Sequence, residues 1–171
     1  MLLNQDFFDQ AADKVAFHLI GCRLHWHEGK QSQSRLITET EAYIGPEDLA
    51  SHAARGRTER NDALFGPSGR FYVYLIYGRH WMLNVVTGPI GFPAAVLIRS
   101  LDGLKGPARV TKALNITGDL NGQIASEKTG VWFTETPQPV RRPIIRSARI
   151  GVEYSGPVWS QKPYRFVLSS K

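Results

Sequence analysis

Among 171 residues there is one cysteine, Cys22. An intramolecular disulfide is therefore excluded, and with it the small disulfide-stapled secreted scaffolds. Beside Ile20, Gly21 and Leu24 the thiol reads as a small buried hydrophobe. No uninterrupted apolar run approaches the roughly 18 residues of a membrane-spanning helix. The Met1-Leu2-Leu3-Asn4-Gln5-Asp6 start lacks the basic stretch and long apolar segment of a secretory signal. The expectation is a soluble intracellular chain, not secreted and with no membrane partner.

Several chemistries lack their signatures as well. There is no G-x-x-x-x-G-K phosphate loop, no dinucleotide fingerprint, no internal repeat and no low-complexity tract. Of the five histidines, His25 and His27 share a strand face but have no Cys or carboxylate at metal-ligand spacing, and His18, His52 and His80 are scattered. No metal and no cofactor is expected. No lysine sits in an apolar stretch that would prepare an amine for Schiff-base chemistry. Water activated by a carboxylate is the nucleophile left.

What the chain does have is a core and a surplus of cations. Hydrophobic residues make up 42% and aromatic ones 11%, enough for one folded domain. The formal net charge of +6 favours a polyanionic partner, since Lys and Arg near phosphates release counterions. A basic balance without a specific partner is the plain alternative. The spacing of Val15, Ala16, Leu19 and Ile20, with Asp13 and Lys14 turned outward, predicts a helix over 11–20. Strands at 23–27 and about 35–43, joined at Glu28-Gly29-Lys30, read as a hairpin or meander. The polar stretch 44–68 is too long for a plain connection and is either functional or holds short helices. Strands follow at 70–76 and 81–87 around a turn at Tyr77-Gly78-Arg79, then at 94–100. A helix over 106–114 opens near Pro107, and short strands are expected at 131–134, 144–147 and 165–168. The fold class is α/β of the α+β kind: a single compact domain over 1–171, mainly antiparallel sheet with peripheral helices and a protruding hairpin.

Strand alternation places Ile37, Glu39, Glu41 and Tyr43 on one face and Thr38, Thr40 and Ala42 on the other. Likewise Tyr72, Tyr74 and Ile76 oppose Phe71, Val73 and Leu75. Tyrosines beside a carboxylate suit a flat aromatic guest with a general base at hand, and in a basic chain that guest is a nucleobase. The same residues also fit an ordinary strand, because Tyr and Thr favour strands and Glu marks a wet face. Parity does not choose between Glu39 and Glu41. At the hairpin tip, Tyr77 either folds back on the sheet or inserts between base pairs, with Arg79 and His80 toward the flanking phosphates.

Set side by side, Glu39-Thr-Glu-Ala-Tyr43, Gly45-Pro46-Glu47-Asp48, Ala50-Ser51-His52, Arg60-Asn61, Phe71-Tyr-Val-Tyr-Leu-Ile-Tyr-Gly78, Asn84 and Ala94-Ala-Val-Leu-Ile-Arg99 resemble the alkyladenine (3-methyladenine) DNA glycosylase family. The likeness runs from Phe7-Phe8-Asp9-Gln10 to Ala148-Arg149-Ile150-Gly151-Val152, most of the chain. It implies a monofunctional glycosylase that flips an alkylated or deaminated purine from duplex DNA and hydrolyses its N-glycosidic bond, initiating base excision repair. It implies Glu41 as the carboxylate that activates water and Arg99 as the arginine that helps hold it. Tyr43, Tyr74 and His52 become walls on the flipped base, Ala50 a backbone reader of the purine edge, and Asn84 a residue whose bulk disfavours the guanine amino group. Leu97 lines the pocket and the Ile150–Gly151 backbone lies near the water. Tyr77 becomes the wedge of a DNA-inserting hairpin. Ala108-Arg109 stands where the family pattern has Gly-Lys, so Arg109 and Lys112 are the candidate phosphate contacts, and Arg79 adds a cation beside the wedge. The partner is double-stranded DNA containing damaged purines. The protein is expected to be a cytoplasmic monomer, nucleoid-associated if prokaryotic.

Two rivals are a non-catalytic binder of damaged DNA and a glycosidase of free nucleosides. A binder has no use for Glu41 with Arg99. A free nucleoside needs neither the basic surface nor the Tyr77 hairpin.

Overall fold

Period-two alternation of apolar side chains divides this molecule into a core side and a site side. A computed structural model describes residues 1–138 and 140–170. Among the described residues there are nine strands: β1 (Arg23–Glu28), β2 (Gln31–Tyr43), β3 (Phe71–Ile76), β4 (His80–Thr87), β5 (Ala94–Leu101), β6 (Leu104–Lys105), β7 (Val131–Thr134), β8 (Ile144–Ser147) and β9 (Arg165–Leu168). Every pairing is antiparallel, in the order β3-β4-β5-β2-β1-β7, with β9 between β2 and β8 and β6 a short partner of β5. Among the same residues, four short α-helices, α1 (Gln5–Phe8), α2 (Ala12–Leu19), α3 (Pro107–Ala113) and α4 (Gly156–Trp159), join single-turn helices in one α+β domain. No described helix is long and apolar enough to cross a membrane.

On one face, Phe71 and Val73 of β3, Leu83 and Val85 of β4, and Val96 and Ile98 of β5 meet Val15 and Leu19 of α2 and Val110 of α3. Burying side chains of this size contributes about 1.5–3 kcal/mol each. Thr40 is fully buried on the same face and donates to the Ala16 carbonyl at 2.8 Å, fixing α2 beneath β2. The intervening residues Tyr72, Val86 and Ala95 gather with Ala53 and Leu64 on the opposite face.

The expected elements are present with shifted ends. The helix expected at 11–20 is Ala12–Leu19, because Ala11 and Ile20 are extended. The helix expected at 106–114 is Pro107–Ala113, since Gly106 stands outside it at φ +99°. β2 starts at Gln31 rather than near 35; Gln31-Ser-Gln-Ser34 has no apolar pattern, and its order comes from pairing with β1. The 44–68 stretch holds two single-turn helices, His52–Arg55 and Asp62–Phe65. The short α1, α4 and β6 left too little periodicity to be read.

One expectation about faces is corrected. Strict parity put Ile37 with Glu39, Glu41 and Tyr43, yet Ile37 is fully buried in the main core with Ala42. The pairing of β2 with β5 shifts register between Ile37 and Glu39 and again between Glu39 and Thr40. The first irregularity inserts Thr38 and the second Arg99. A bulge of one residue exchanges the faces on either side of it.

Candidate active site

Hydrogen-bond register aligns four residues from four strands into one row across the sheet. Tyr72 of β3 lies opposite Asn84 of β4, Asn84 opposite Leu97 of β5, and Leu97 opposite Glu41 of β2. Residues directly opposite share a face, so the row forms a floor on the site side. Over it opens a pocket whose walls include Tyr43, Ala50, His52, Tyr74 and Asn84. Tyr72, Ser51, Leu64, Ala95 and Tyr154 line it too. Leu97 is buried within the row and is not among the wall residues.

The aromatic walls brace one another. Tyr72 and Tyr74 rings lie 5.1 Å apart, and His52 meets Tyr74 edge-on at 4.4 Å. His52 Nδ1 and the Tyr72 hydroxyl are hydrogen-bonded to each other at 2.7 Å. Burial, then the Arg60 charge, lowers the His52 pKa below its usual 6.5, which keeps the ring neutral near pH 7. Arg60 packs over the Tyr74 ring and donates to the Leu75 carbonyl at 2.9 Å. The loop carrying His52 is held by Asn61, whose amide donates to the carbonyls of His52 and Gly56 at 3.2 and 2.9 Å.

Glu41 is wholly buried and each of its oxygens has a donor. Tyr43 donates its hydroxyl to Oε2 at 2.9 Å, and the Ile150 backbone N–H donates to Oε1 at 2.8 Å. Arg99 Nη1 lies 3.5 Å from Oε1. Burial outweighs these partners and raises the Glu41 carboxyl above its usual 4.5. Glu39 is the opposite case. Burial would raise it too, but hydrogen bonds from Ser100 and Arg165 and the charge of Arg99 hold it below 4.5. Arg99 Nε and Arg165 Nε reach its Oε1 at 2.9 and 2.6 Å, and the Ser100 hydroxyl reaches Oε2 at 2.6 Å. Neighbours on a regular strand point to opposite faces, so Arg99 and Ser100 both meet Glu39 only because Arg99 is the bulged residue. Two carboxylates two residues apart thus acquire different characters: Glu39 is held low by its three partners, and Glu41 is raised by burial.

Behind this pair lies an ion pair that sequence reasoning missed. Asp48 and Arg149 are both 0% exposed and bidentate, with Nη1–Oδ2 at 2.5 Å and Nη2–Oδ1 at 2.9 Å. Arg149 also donates to the Ala42 carbonyl at 2.9 Å and lies over the Tyr43 ring, 4.8 Å from its centroid. Asp48 accepts from the Ile44 and Ala50 N–H groups at 3.2 and 3.1 Å. One buried pair therefore shapes the loop bearing Ala50 and His52 and anchors the residue preceding Ile150.

Four residues from the sequence reading stand apart from the pocket. Tyr77 and Arg79 are exposed at the β3–β4 tip, Tyr77 to 86%. Tyr77 has φ +50° and Gly78 φ +64°. Such a backbone costs a tyrosine roughly 1–3 kcal/mol. Tyr77 does not fold back on the sheet. Arg109 and Lys112 are exposed on α3, whose Val110, with Leu114 just beyond its end, enters the core on the face away from the pocket. Of the wall residues not foreseen, Tyr72 carried a signal, its parity with Tyr74. Tyr154, 104 residues from the Ala50 carbonyl it touches, carried none. Among the described residues no cluster of His, Cys, Asp or Glu could hold a metal.

Comparison with known proteins meets this geometry. The family model described as Methylpurine-DNA glycosylase matches residues 6–106 and 102–171. A protein of Anaeromyxobacter sp. strain Fw109-5, named "Putative 3-methyladenine DNA glycosylase", is 41% identical over 98% of this chain and 89% of its own length. Proteins of the same name from Myxococcus xanthus and Legionella pneumophila strain Corby are 41% and 37% identical, covering 95% and 97% of this chain and 88% and 93% of their own lengths. The chain belongs to the Methylpurine-DNA glycosylase family.

Proposed function

We propose that the protein is a monofunctional DNA glycosylase that acts as a monomer on duplex DNA. It turns an alkylated or deaminated purine out of the helix and hydrolyses its N-glycosidic bond with an activated water. The observation that carries this reading is Glu41, a buried carboxylate with a raised pKa in the row that floors a tyrosine-lined pocket. A base must leave the stack before such a group can reach its sugar, at a cost of a few kcal/mol. Stacking on Tyr43 and Tyr74 and insertion of Tyr77 offset that cost.

In the chemical step Glu41 takes a proton from water as the water oxygen bonds to C1′. The C1′–N bond breaks and its electron pair leaves with the purine. A purine nucleotide alkylated at ring N3 or N7 already carries a positive charge, so the base departs neutral without an added proton. One carboxylate then suffices where ordinary glycosidases use two. Tyr43 and Ile150 occupy one acceptor site on each Glu41 oxygen, and a carboxylate keeps further lone pairs for water. Arg99, tethered by Glu39, provides positive charge beside Glu41.

The direct experiment is a panel of duplexes carrying 3-methyladenine, hypoxanthine or ethenoadenine, with alkaline cleavage reporting base release. If the protein releases none of these, the enzymatic reading is wrong. With a positively charged lesion the single-turnover rate should rise with pH as Glu41 loses its proton. Because burial raises that pKa, the half-maximal point should lie above 4.5. A limb at or below 4.5 would assign the base role to another group.

Tyr77→Ala should slow excision from duplex DNA and leave single-stranded substrate unaffected, since Tyr77 is outside the pocket wall. Aromatic–base stacking of roughly 1–3 kcal/mol predicts a loss of about 5- to 150-fold. Equal losses on both substrates would remove the wedge role.

A further inference from the structure

The row of facing residues does not stop at Glu41. On its other side β2 pairs with β9, and Glu41 lies directly opposite Arg165. Facing residues share a side of the sheet, and the diagonal neighbour two residues along is within reach of a long side chain. Arg165 takes that diagonal. Its Nε donates to Glu39 Oε1 at 2.6 Å, and its Nη1 donates to the Ser147 hydroxyl at 3.2 Å. The same Glu39 oxygen accepts from Arg99 Nε at 2.9 Å, while Arg99 Nη1 stands 3.5 Å from Glu41 Oε1. Two carboxylates and two arginines, from β2, β5 and β9, thus form a balanced set. None of the four side chains is more than 26% exposed, so solvent screens these charges weakly.

We propose that Arg165 is a positioning residue for the hydrolytic step: by sharing the Glu39 carboxylate it leaves the Arg99 guanidinium free to face Glu41. The proposal rests on the glycosylase reading above and deepens it. Arg165 is not among the pocket-wall residues, so it acts through Glu39 and Arg99. Without it, two carboxylates would divide one guanidinium. Arg99 would close on Glu39, which it already holds through Nε, in the two-point geometry that an arginine and a carboxylate favour. Glu41 would keep the burial that raises its carboxyl and lose part of the Arg99 charge that opposes it. The other groups facing Glu41 do not compensate. Burial keeps the hydroxyls of Tyr43, Tyr74 and Tyr154 protonated, and Arg149 is committed to Asp48.

The test measures the half-maximal pH of single-turnover release from a duplex carrying a positively charged lesion, in wild type, Arg165→Gln, Arg165→Lys and Glu39→Gln. Arg165→Gln keeps a donor and loses the charge. Its half-maximal pH should rise by roughly 0.5–1, less than a directly adjacent charge brings, and the rate on the acid side should fall about 3- to 10-fold. Arg165→Lys restores the cation and should return the half-maximal pH to the wild-type value. Glu39→Gln removes an anion and frees both arginines, so its half-maximal pH should move down. A merely structural Arg165 would lower the midpoint of urea unfolding without these opposed shifts. An unmoved or lowered value in Arg165→Gln, or an Arg165→Lys protein that behaves like Arg165→Gln, overturns the proposal. If Arg165→Gln does not fold, an unmoved or raised value in Glu39→Gln overturns it. In each case wild-type release leaves the glycosylase reading standing. A wild type that releases no damaged base overturns both.

Discussion

Glu41→Gln should bind a duplex containing a damaged purine about as tightly as wild type and release the base about 10²- to 10⁴-fold more slowly, the usual worth of a positioned general base. Glutamine fills the same volume in a fully buried position. Its carbonyl can accept from the Ile150 N–H, and its amide can donate to the Tyr43 oxygen once that hydroxyl rotates. The fold therefore loses little, while the group that takes the proton from water is gone. Single-turnover release with excess protein separates the chemical step from binding. Substantial release by Glu41→Gln, or an equal loss in Glu39→Gln with Glu41 intact, would place the base elsewhere. Glu39 is the informative control because Arg99, Arg165 and Ser100 already engage its oxygens.

Arg149→Met should cost about 3–5 kcal/mol of folding stability, since breaking a buried ion pair leaves an uncompensated charge inside the protein. Against a total of roughly 5–15 kcal/mol this is a large loss, visible as a lower midpoint in urea unfolding. Asp48 would remain fully buried without its bidentate partner, and the Ala42 carbonyl would lose a donor. The double variant Asp48→Leu with Arg149→Met should recover part of the stability, because no lone charge remains. It should not recover base release, since the Ile44 and Ala50 N–H groups lose the acceptor that shapes the pocket loop. An Arg149→Met protein that unfolds like wild type would show that the pair does not anchor the site.

The chain shows unequal legibility. Strands rich in Val, Ile and Tyr announced themselves, and Tyr72 and Tyr74 were assigned to one face by alternation alone, as they are found. Alternation failed where β2 and β5 bulge: Ile37 went to the wrong face, and nothing in Arg99-Ser100 foretold that both side chains would meet Glu39. A bulge is a property of two strands together, and a single strand's pattern does not contain it. The choice of Glu41 over Glu39 came from family resemblance. The structure adds a physical contrast between them in burial and partners.

The sequence by itself determined the class of fold, the net positive charge and the family. These reside in composition, in local periodicity and in the order of short motifs. Tertiary structure alone decided that Tyr72, Asn84, Leu97 and Glu41 form one row, that Asp48 is neutralised by Arg149, and that Tyr154 closes on Ala50. Each depends on register or contact between segments far apart in the chain, and no spacing along one segment encodes a distance between two.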